Sequence, residues 1–298
     1  MGFFSTQEKF PSISLGGAVV VITGGGRGIG RAAAEAFVAK GAKVCIGDLD
    51  LGLVSTVAAA IGATVFPFQV DVTEKASFAA FLRAVERSVG PIDILVNNAG
   101  VMAAGPFLDE PDAKSRAMIE VNLWGPIQGM RLALPAMIAR GRGHIVNVTS
   151  MAGKFPIPGA AVYAASKFGA VGLSMVVRDE VAQRGVSVSQ VLPTAVRTEL
   201  IQGIPQGQGL PVVSPRTIAR AIVDSCASRK DIITVPDYLK WYDLMLALVP
   251  RSWMRALRKR IKADRMMTGL DSKARAAYES RMLASTPSTT TTSQGQKP

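Results

Sequence analysis

With 298 residues, 48% of them hydrophobic, the chain is long enough for one large core with an appendage. Its two cysteines, Cys45 and Cys226, exclude a disulfide framework and lack the neighbours of a zinc site, so a reduced compartment is expected. The formal charge of +12 is concentrated: nine Lys/Arg and two Asp lie between Arg251 and Arg275, a net of 9 − 2 = +7, a patch that suits nucleic acid, an anionic membrane or plain solvation.

Residues 1–14 read as a frayed, partly apolar leader without the basic-then-apolar pattern of a secretory signal. Met1-Gly2-Phe3-Phe4-Ser5-Thr6 formally fits a myristoylation pattern. No uncharged apolar run reaches about 18 residues, so no spanning helix is expected. Ala18 to Ile22 is a β-branched run suited to a strand buried on both faces. Thr23-Gly24-Gly-Gly-Arg27-Gly28-Ile29-Gly30 follows, then a helical pattern over 31–40 closed by Gly41. Strand, glycine turn and helix in that order point to a dinucleotide site, because free N–H groups at a helix N-terminus attract phosphate. A second strand over 43–47 ends in Asp48, 18 residues after Gly30, where a carboxylate can bind ribose hydroxyls. Asp48 would repel a 2′-phosphate and favours NAD. Arg27 could pair with that phosphate and pulls weakly towards NADP.

A helix is expected over 51–61, a strand over 64–70 ending at Asp71-Val72, and an amphipathic helix over 74–89 broken at Gly90-Pro91. The buried strand 92–96 ends in Asn97-Asn98-Ala99-Gly100. Helical periodicity over 111–140 is interrupted by Pro126 and Pro135, so a kink or break is expected, and Asn122 stands mid-helix despite its low propensity. The single histidine, His144, begins the strand 144–148 and reads as a strand-edge surface residue, which leaves no Ser-His-Asp triad. Thr149-Ser150 follow. Tyr163 and Lys167 lie four apart, on one face of a helix running to about Arg184. An ammonium there would favour the phenolate and lower the tyrosine pKa from about 10. A strand over 187–192 leads to Pro193-Thr-Ala-Val196-Arg-Thr198, a Gly/Gln/Pro-rich loop covers 201–211, and a helix over 215–228 precedes a last strand, 231–235. Seven strands alternating with helices predict an α/β fold: one doubly wound parallel seven-stranded sheet, a Rossmann fold over 15–236.

Together Thr23-Gly-x-x-x-Gly28-Ile-Gly30, Asn97-Asn-Ala-Gly100, Asn122, Ser150 and Tyr163-x-x-x-Lys167 resemble, in order and spacing, the short-chain dehydrogenase/reductase family. The resemblance implies Tyr163 as general acid/base and Lys167 as the group that binds the nicotinamide ribose and lowers the Tyr163 pKa. It implies that Ser150 holds the substrate oxygen and that Asn122 holds a water in a relay with Lys167. Cofactor contacts are implied at Thr23, Gly24, Arg27, Gly28, Ile29, Gly30, Asp48, Asp71, Val72, Asn98, Ala99, Gly100, Tyr163, Lys167, Pro193, Val196 and Thr198, with no metal. The family usually has Pro-Gly after the sixth strand. Here Pro193-Thr194 stands, which puts the loop beside the nicotinamide in question.

Residues 237–283 form an amphipathic basic extension. Tyr238, Trp241, Tyr242, Leu244, Met245, Leu248, Val249, Trp253, Met254 and Leu257 follow helical spacing broken at Pro250. Three readings stay open: membrane-surface contact through 237–265, a lid or subunit contact, and a plain helix with a solvated basic face. The Thr-rich 284–298 should be disordered. The extension loosely resembles lipid- and retinoid-acting members of the family. The expectation is a cytoplasmic, homo-oligomeric, NAD-dependent oxidoreductase for a secondary alcohol or ketone of an apolar substrate, with no nucleic-acid partner. The alternatives are an NADP-dependent 3-oxoacyl reductase and an idle nucleotide-binding protein at a membrane.

Overall fold

The computed structural model of the chain describes residues 10, 13–205, 211–241 and 265–284. Its strands are β1 (Val19–Thr23), β2 (Lys43–Asp48), β3 (Val65–Gln69), β4 (Ile94–Asn97), β5 (Gly143–Val148), β6 (Val186–Pro193) and β7 (Ile232–Val235). All seven pair in parallel in the order β3-β2-β1-β4-β5-β6-β7. Strand order reverses between β1 and β4, which opens a crevice at their C-terminal ends.

Strand alternation sends side chains to two layers. Val20, Ile22, Val44, Ile46, Val96 and Val146 pack with α1 (Gly28–Val38) and α7 (Pro215–Ser228) through Phe37, Ile218 and Ile222. Val21, Cys45, Leu95, Ile145 and Val188 pack with α3 (Lys75–Ser88) through Phe78 and Phe81, and with α5 (Gly125–Ala139) through Met130 and Met137. α2 (Leu51–Ile61) is N-capped by Asp50, which accepts from the Leu53 N–H at 2.9 Å. The expected leader is docked at Ile13, which is buried and gives its N–H to the Cys226 carbonyl at 3.2 Å.

The helical stretch 111–140 is divided. α4 (Asp112–Ile119) runs into one π-turn, Glu120–Trp124, before α5 begins. Gly125 donates to Glu120, five residues back, and Pro126 has no N–H to give the Asn122 carbonyl. The break therefore falls at Asn122, while Pro135 is accommodated inside α5. α6 (Ala161–Val181) carries Tyr163 and Lys167. Glu199–Ile201 forms a short 3-10 turn, and 206–210 of the expected loop lie outside the described residues. Beyond β7, a 3-10 turn Asp237–Trp241 is followed by α8 (Arg265–Thr268) and α9 (Ser272–Ala284). The aromatic and basic stretch 242–264, and the tail 285–298, lie outside the described residues. Among the described residues no helix is long and apolar enough to cross a membrane.

His144 corrects a sequence expectation: it is fully buried, not a strand-edge surface residue. Its Nδ1 lies 2.8 Å from Ser187 Oγ and its Nε2 lies 2.9 Å from Ser225 Oγ. Ser225 already donates to the Ile222 carbonyl, so it accepts from Nε2–H, and Nδ1 accepts from Ser187, which in turn accepts from Arg229. Burial first, and the Arg229 charge second, hold the imidazole pKa well below 6.5. The unfolded chain takes up this proton below about pH 6.5 and the folded one does not. Stability is therefore lost as pH falls, by about 1 kcal/mol between pH 6.5 and 5.5. Denaturant midpoints measured across that interval should fall less in His144→Gln than in wild type. Equal slopes would refute the assignment.

Candidate active site

The functional groups gather where β1, β4, β5 and β6 end. At β1, Thr23 Oγ1 accepts from the Asn98 and Ala99 N–H groups at 3.0 and 3.1 Å. Asn98 Nδ2 donates back to the Thr23 and Gly24 carbonyls at 2.9 and 3.0 Å. These bonds tie the glycine turn to the end of β4. A Cβ on Gly30 would stand 2.1 Å from the Gly24 carbonyl oxygen, so only glycine permits the turn to close on the start of α1. No side chain caps that helix, which leaves its first N–H groups for an anion. Ile29 packs into the core beneath. The turn thus fits the diphosphate of a dinucleotide.

Asp48 ends β2 beside the turn. Its Oδ2 accepts from the Gly26 N–H at 3.3 Å and its Oδ1 from the Asp50 N–H at 3.5 Å. Burial pushes its carboxyl pKa up, and the backbone bonds and Arg27 oppose that. Arg27 is paired with Glu199 at 3.4 Å, across the crevice, in an ion pair half exposed to solvent. Asp71 directs one oxygen to Thr73, accepting from its N–H at 2.8 Å and its hydroxyl at 2.7 Å. The Val72 carbonyl accepts from Gln128 Nε2 at 2.8 Å, so the end of β3 is fixed to α5.

Beyond β6, Pro193 pairs with Val235, Val196 is buried and bridges to Val213, and Thr198 folds over the turn. A Cβ on Gly28 would lie 3.0 Å from Thr198 Cγ2. Thr194, which replaces the usual glycine, donates its hydroxyl to the Pro211 carbonyl at 2.9 Å and its N–H to the Val235 carbonyl at 3.1 Å. The β-branched residue is accommodated by anchoring the loop to β7.

The reacting cluster stands at the end of β5. Ser150 caps the 3-10 turn Met151–Gly153, accepting from the Ala152 N–H at 3.0 Å. A Cβ on Gly153 would be 2.6 Å from the Lys167 carbonyl oxygen, so a glycine lets that turn lie on α6. Ser150 hydrogen-bonds the Tyr163 hydroxyl. Lys167 Nζ donates to the Val148 carbonyl at 3.1 Å and lies 5.9 Å from the Tyr163 ring centroid. Asn122 holds both backbone groups of Val101: Oδ1 accepts its N–H at 2.9 Å and Nδ2 donates to its carbonyl at 2.8 Å. Nδ2 also reaches Ser166 Oγ at 3.1 Å. Gly100 lies between Asn122 and Lys167, each within 4 Å of where its Cβ would stand.

The electrostatics correct a second expectation. Burial pushes the Tyr163 phenol up to about 12, against the Ser150 hydrogen bond, and burial brings Lys167 down to about 8. Burial outweighs any lowering by the lysine, whose ammonium donates to the Val148 carbonyl, and Tyr163 is 8% exposed among Met102, Met118, Ile204 and Met282. The resting group is a phenol, able to donate a proton; accepting one requires that it first lose its own.

A parallel nucleotide-binding sheet with serine, tyrosine and lysine converging at one crevice defines an oxidoreductase. A family model described as short chain dehydrogenase matches residues 18–209. The chain belongs to the short-chain dehydrogenase/reductase family. It is 32% identical over 263 residues to 17-beta-hydroxysteroid dehydrogenase 13 of Rattus norvegicus, covering 86% of each chain. It is 31% identical over 254 residues to Estradiol 17-beta-dehydrogenase 11 of Mus musculus, covering 83% of this chain and 85% of that one. Among solved structures it is similar to a short chain dehydrogenase/reductase from Burkholderia phymatum in complex with NAD, with TM-score 0.70, 26% identity, and coverage of 80% of this chain and 98% of the other.

Two residues at the site escaped sequence reasoning. Arg275 is buried, and Tyr278 gives its hydroxyl as acceptor to the Met102 N–H at 2.9 Å. Both lie on α9, a polar helix with no motif to mark them.

Proposed function

We propose that the protein is an NAD-dependent oxidoreductase interconverting a secondary alcohol and a ketone on an apolar substrate of steroid, retinoid or acyl type. The observation that carries this reading is the apolar cluster packed around Tyr163, made of Met102, Met118, Ala152, Ile204 and Met282, with Leu270 and Tyr278 against it. A polar substrate body would lose its hydration there without gaining partners. The names of two relatives, dehydrogenases of 17-beta-hydroxysteroids and estradiol, accord with such a substrate. Asp48 beside the glycine turn, and the NAD held by the similar solved structure, support NAD as cofactor.

In the reduction direction, Ser150 holds the ketone oxygen and the Tyr163 phenol gives it a proton. In oxidation, the carbinol proton passes to Tyr163 after its own has left past Lys167 to solvent. The nicotinamide, when bound, takes or supplies the hydride. Lys167 would orient its ribose, and the turn fixed by Thr23 and Asn98, with the α1 N-terminus, would hold the rest. Medium-chain to steroid-sized secondary alcohols should generate NADH absorbance at 340 nm when mixed with protein and NAD. A panel spanning steroid, retinoid and acyl-chain alcohols, and the matching ketones with NADH, that gave no turnover would sink the reading in favour of an idle nucleotide-binding protein.

A further inference from the structure

The segment after the cofactor turn has an unusual support. Val101 is held at both backbone groups by Asn122. Met102, the next residue, is held at both of its own by α9: its N–H donates to Tyr278 Oη at 2.9 Å, and its carbonyl accepts from Arg275 Nη2 at 2.7 Å. The two side chains are three apart on one helical face. The other arm of the Arg275 fork, Nη1, donates to the Leu200 and Gln202 carbonyls at 3.3 and 3.1 Å, in the turn beyond β6. Nε completes the set with Glu279 Oε1 at 3.1 Å, and Glu279 also accepts from Lys114 Nζ on α4 at 2.7 Å. Arg281 reaches Glu199 at 2.7 Å, on the carboxylate that Arg27 also meets.

One buried guanidinium therefore ties together two segments beside the Tyr163 cluster that belong to separate parts of the fold. Three of these four partners are backbone carbonyls, so the contact depends on helix position more than on the neighbouring side-chain types. Met282, one turn beyond Tyr278, belongs to the same apolar cluster, and Met266 on α8 packs against it and lies against Gly159. The planar fork of arginine can bridge such carbonyls where a lysine ammonium cannot.

We propose that Arg275 and Tyr278 complete the substrate chamber as positioning residues, and that α9, clamped on Met102 and the Leu200–Gln202 turn, selects the apolar body of the substrate. The inference rests on the alcohol/ketone reading above and adds to it the element that sets specificity. A small alcohol at Tyr163 and Ser150 would meet little of α9. A long or polycyclic one must lie against Tyr278 and Met282, so its binding depends on where the clamp holds them.

The test uses full-length protein, NAD, and secondary alcohols from isopropanol and sec-butanol up to a long-chain and a steroid alcohol. Tyr278→Phe keeps the ring and removes the acceptor. It should raise KM for the long-chain and steroid alcohols about tenfold, the worth of one buried hydrogen bond, with a smaller change for isopropanol. Arg275→Lys keeps the charge, loses the fork and should have the larger effect of the two. Amide exchange at Met102 should quicken about tenfold in Tyr278→Phe, while exchange at Ile145 in β5 stays as in wild type. Equal losses for every alcohol, or unchanged Met102 exchange, would overturn the proposal. If wild type oxidises none of the series, the alcohol/ketone reading fails by itself. Met102 exchange and calorimetric binding of the steroid to wild type and Tyr278→Phe then decide the clamp: unchanged exchange or unchanged affinity refutes it.

Discussion

Tyr163→Phe should lower kcat at least about a thousandfold while leaving the melting temperature and NADH binding nearly unchanged. The substitution removes one oxygen from a side chain packed among Met102, Ala160 and Ile204, and the ring still fills its place. Ser150 loses a partner but keeps the Ala152 N–H, so no buried hydroxyl is stranded. Lys167 is held by the Val148 carbonyl and not by the phenol, so its position should survive. What disappears is the hydroxyl that hands a proton to the substrate oxygen and takes it back. Ser150 cannot replace it, because a serine hydroxyl is far too weak an acid. General acid–base groups contribute about 10²–10⁴ in rate, and here no water stands in easily beside a phenol that is buried this deeply. Steady-state kinetics on any alcohol turned over by wild type, paired with NADH fluorescence titration, makes the comparison. A mutant as active as wild type would remove Tyr163 from the mechanism. A mutant that loses NADH binding as well would place its main effect in the cofactor site.

Much of this architecture is legible in the chain because local signals and tertiary needs agree. Buried parallel strands must be apolar on both faces, so runs such as Ala18 to Ile22 declare themselves. The glycine turn declares itself because Gly30 has no room for a side chain, and the Tyr163–Lys167 pair because helical spacing fixes its face. The failures share a cause: they depend on what lies across space. His144 resembles a surface residue until Ser187 and Ser225, from β6 and α7, are seen to satisfy both ring nitrogens. Proximity to Lys167 suggests a lowered tyrosine pKa, but desolvation opposes any ionised form, and only the packed chamber reveals its weight. The break at Asn122 was visible in Pro126, yet its form, a π-turn that presents the amide to Val101, was not. The Arg275–Glu279 pair shows in the spacing as an ordinary helix-surface ion pair, but the bonds of Arg275 and Tyr278 to Met102 carry no signal, since they are made to backbone groups, which every sequence has.

Asp48 should decide between the two nicotinamide cofactors, and replacing it should move that choice by about a hundredfold or more. Like charges 4 Å apart repel by about 4 kcal/mol at the effective dielectric of a protein surface, against about 1.4 kcal/mol for each tenfold in affinity. Screening and adjustment reduce the figure, so two decades is the expectation for removing the carboxylate. The structure supplies a second reason for a large swing. Gly26 and Asp50 present their N–H groups to the Asp48 oxygens, so Asp48→Ser leaves donors facing the space that a 2′-phosphate would fill. Arg27 stands at the same turn and is paired with Glu199, in an ion pair half exposed to solvent. Such pairs contribute about 0–1 kcal/mol, so little opposes the guanidinium's turning to a phosphate. Asp48→Ser should therefore raise NADPH affinity and weaken NADH, and Glu199→Gln should add a smaller gain for NADPH by releasing Arg27. Calorimetric dissociation constants for both cofactors report this without any substrate. Wild type binding NADPH more tightly than NADH, with Asp48 in place, would mean that Arg27 outweighs the carboxylate, and the choice of NAD would be reversed.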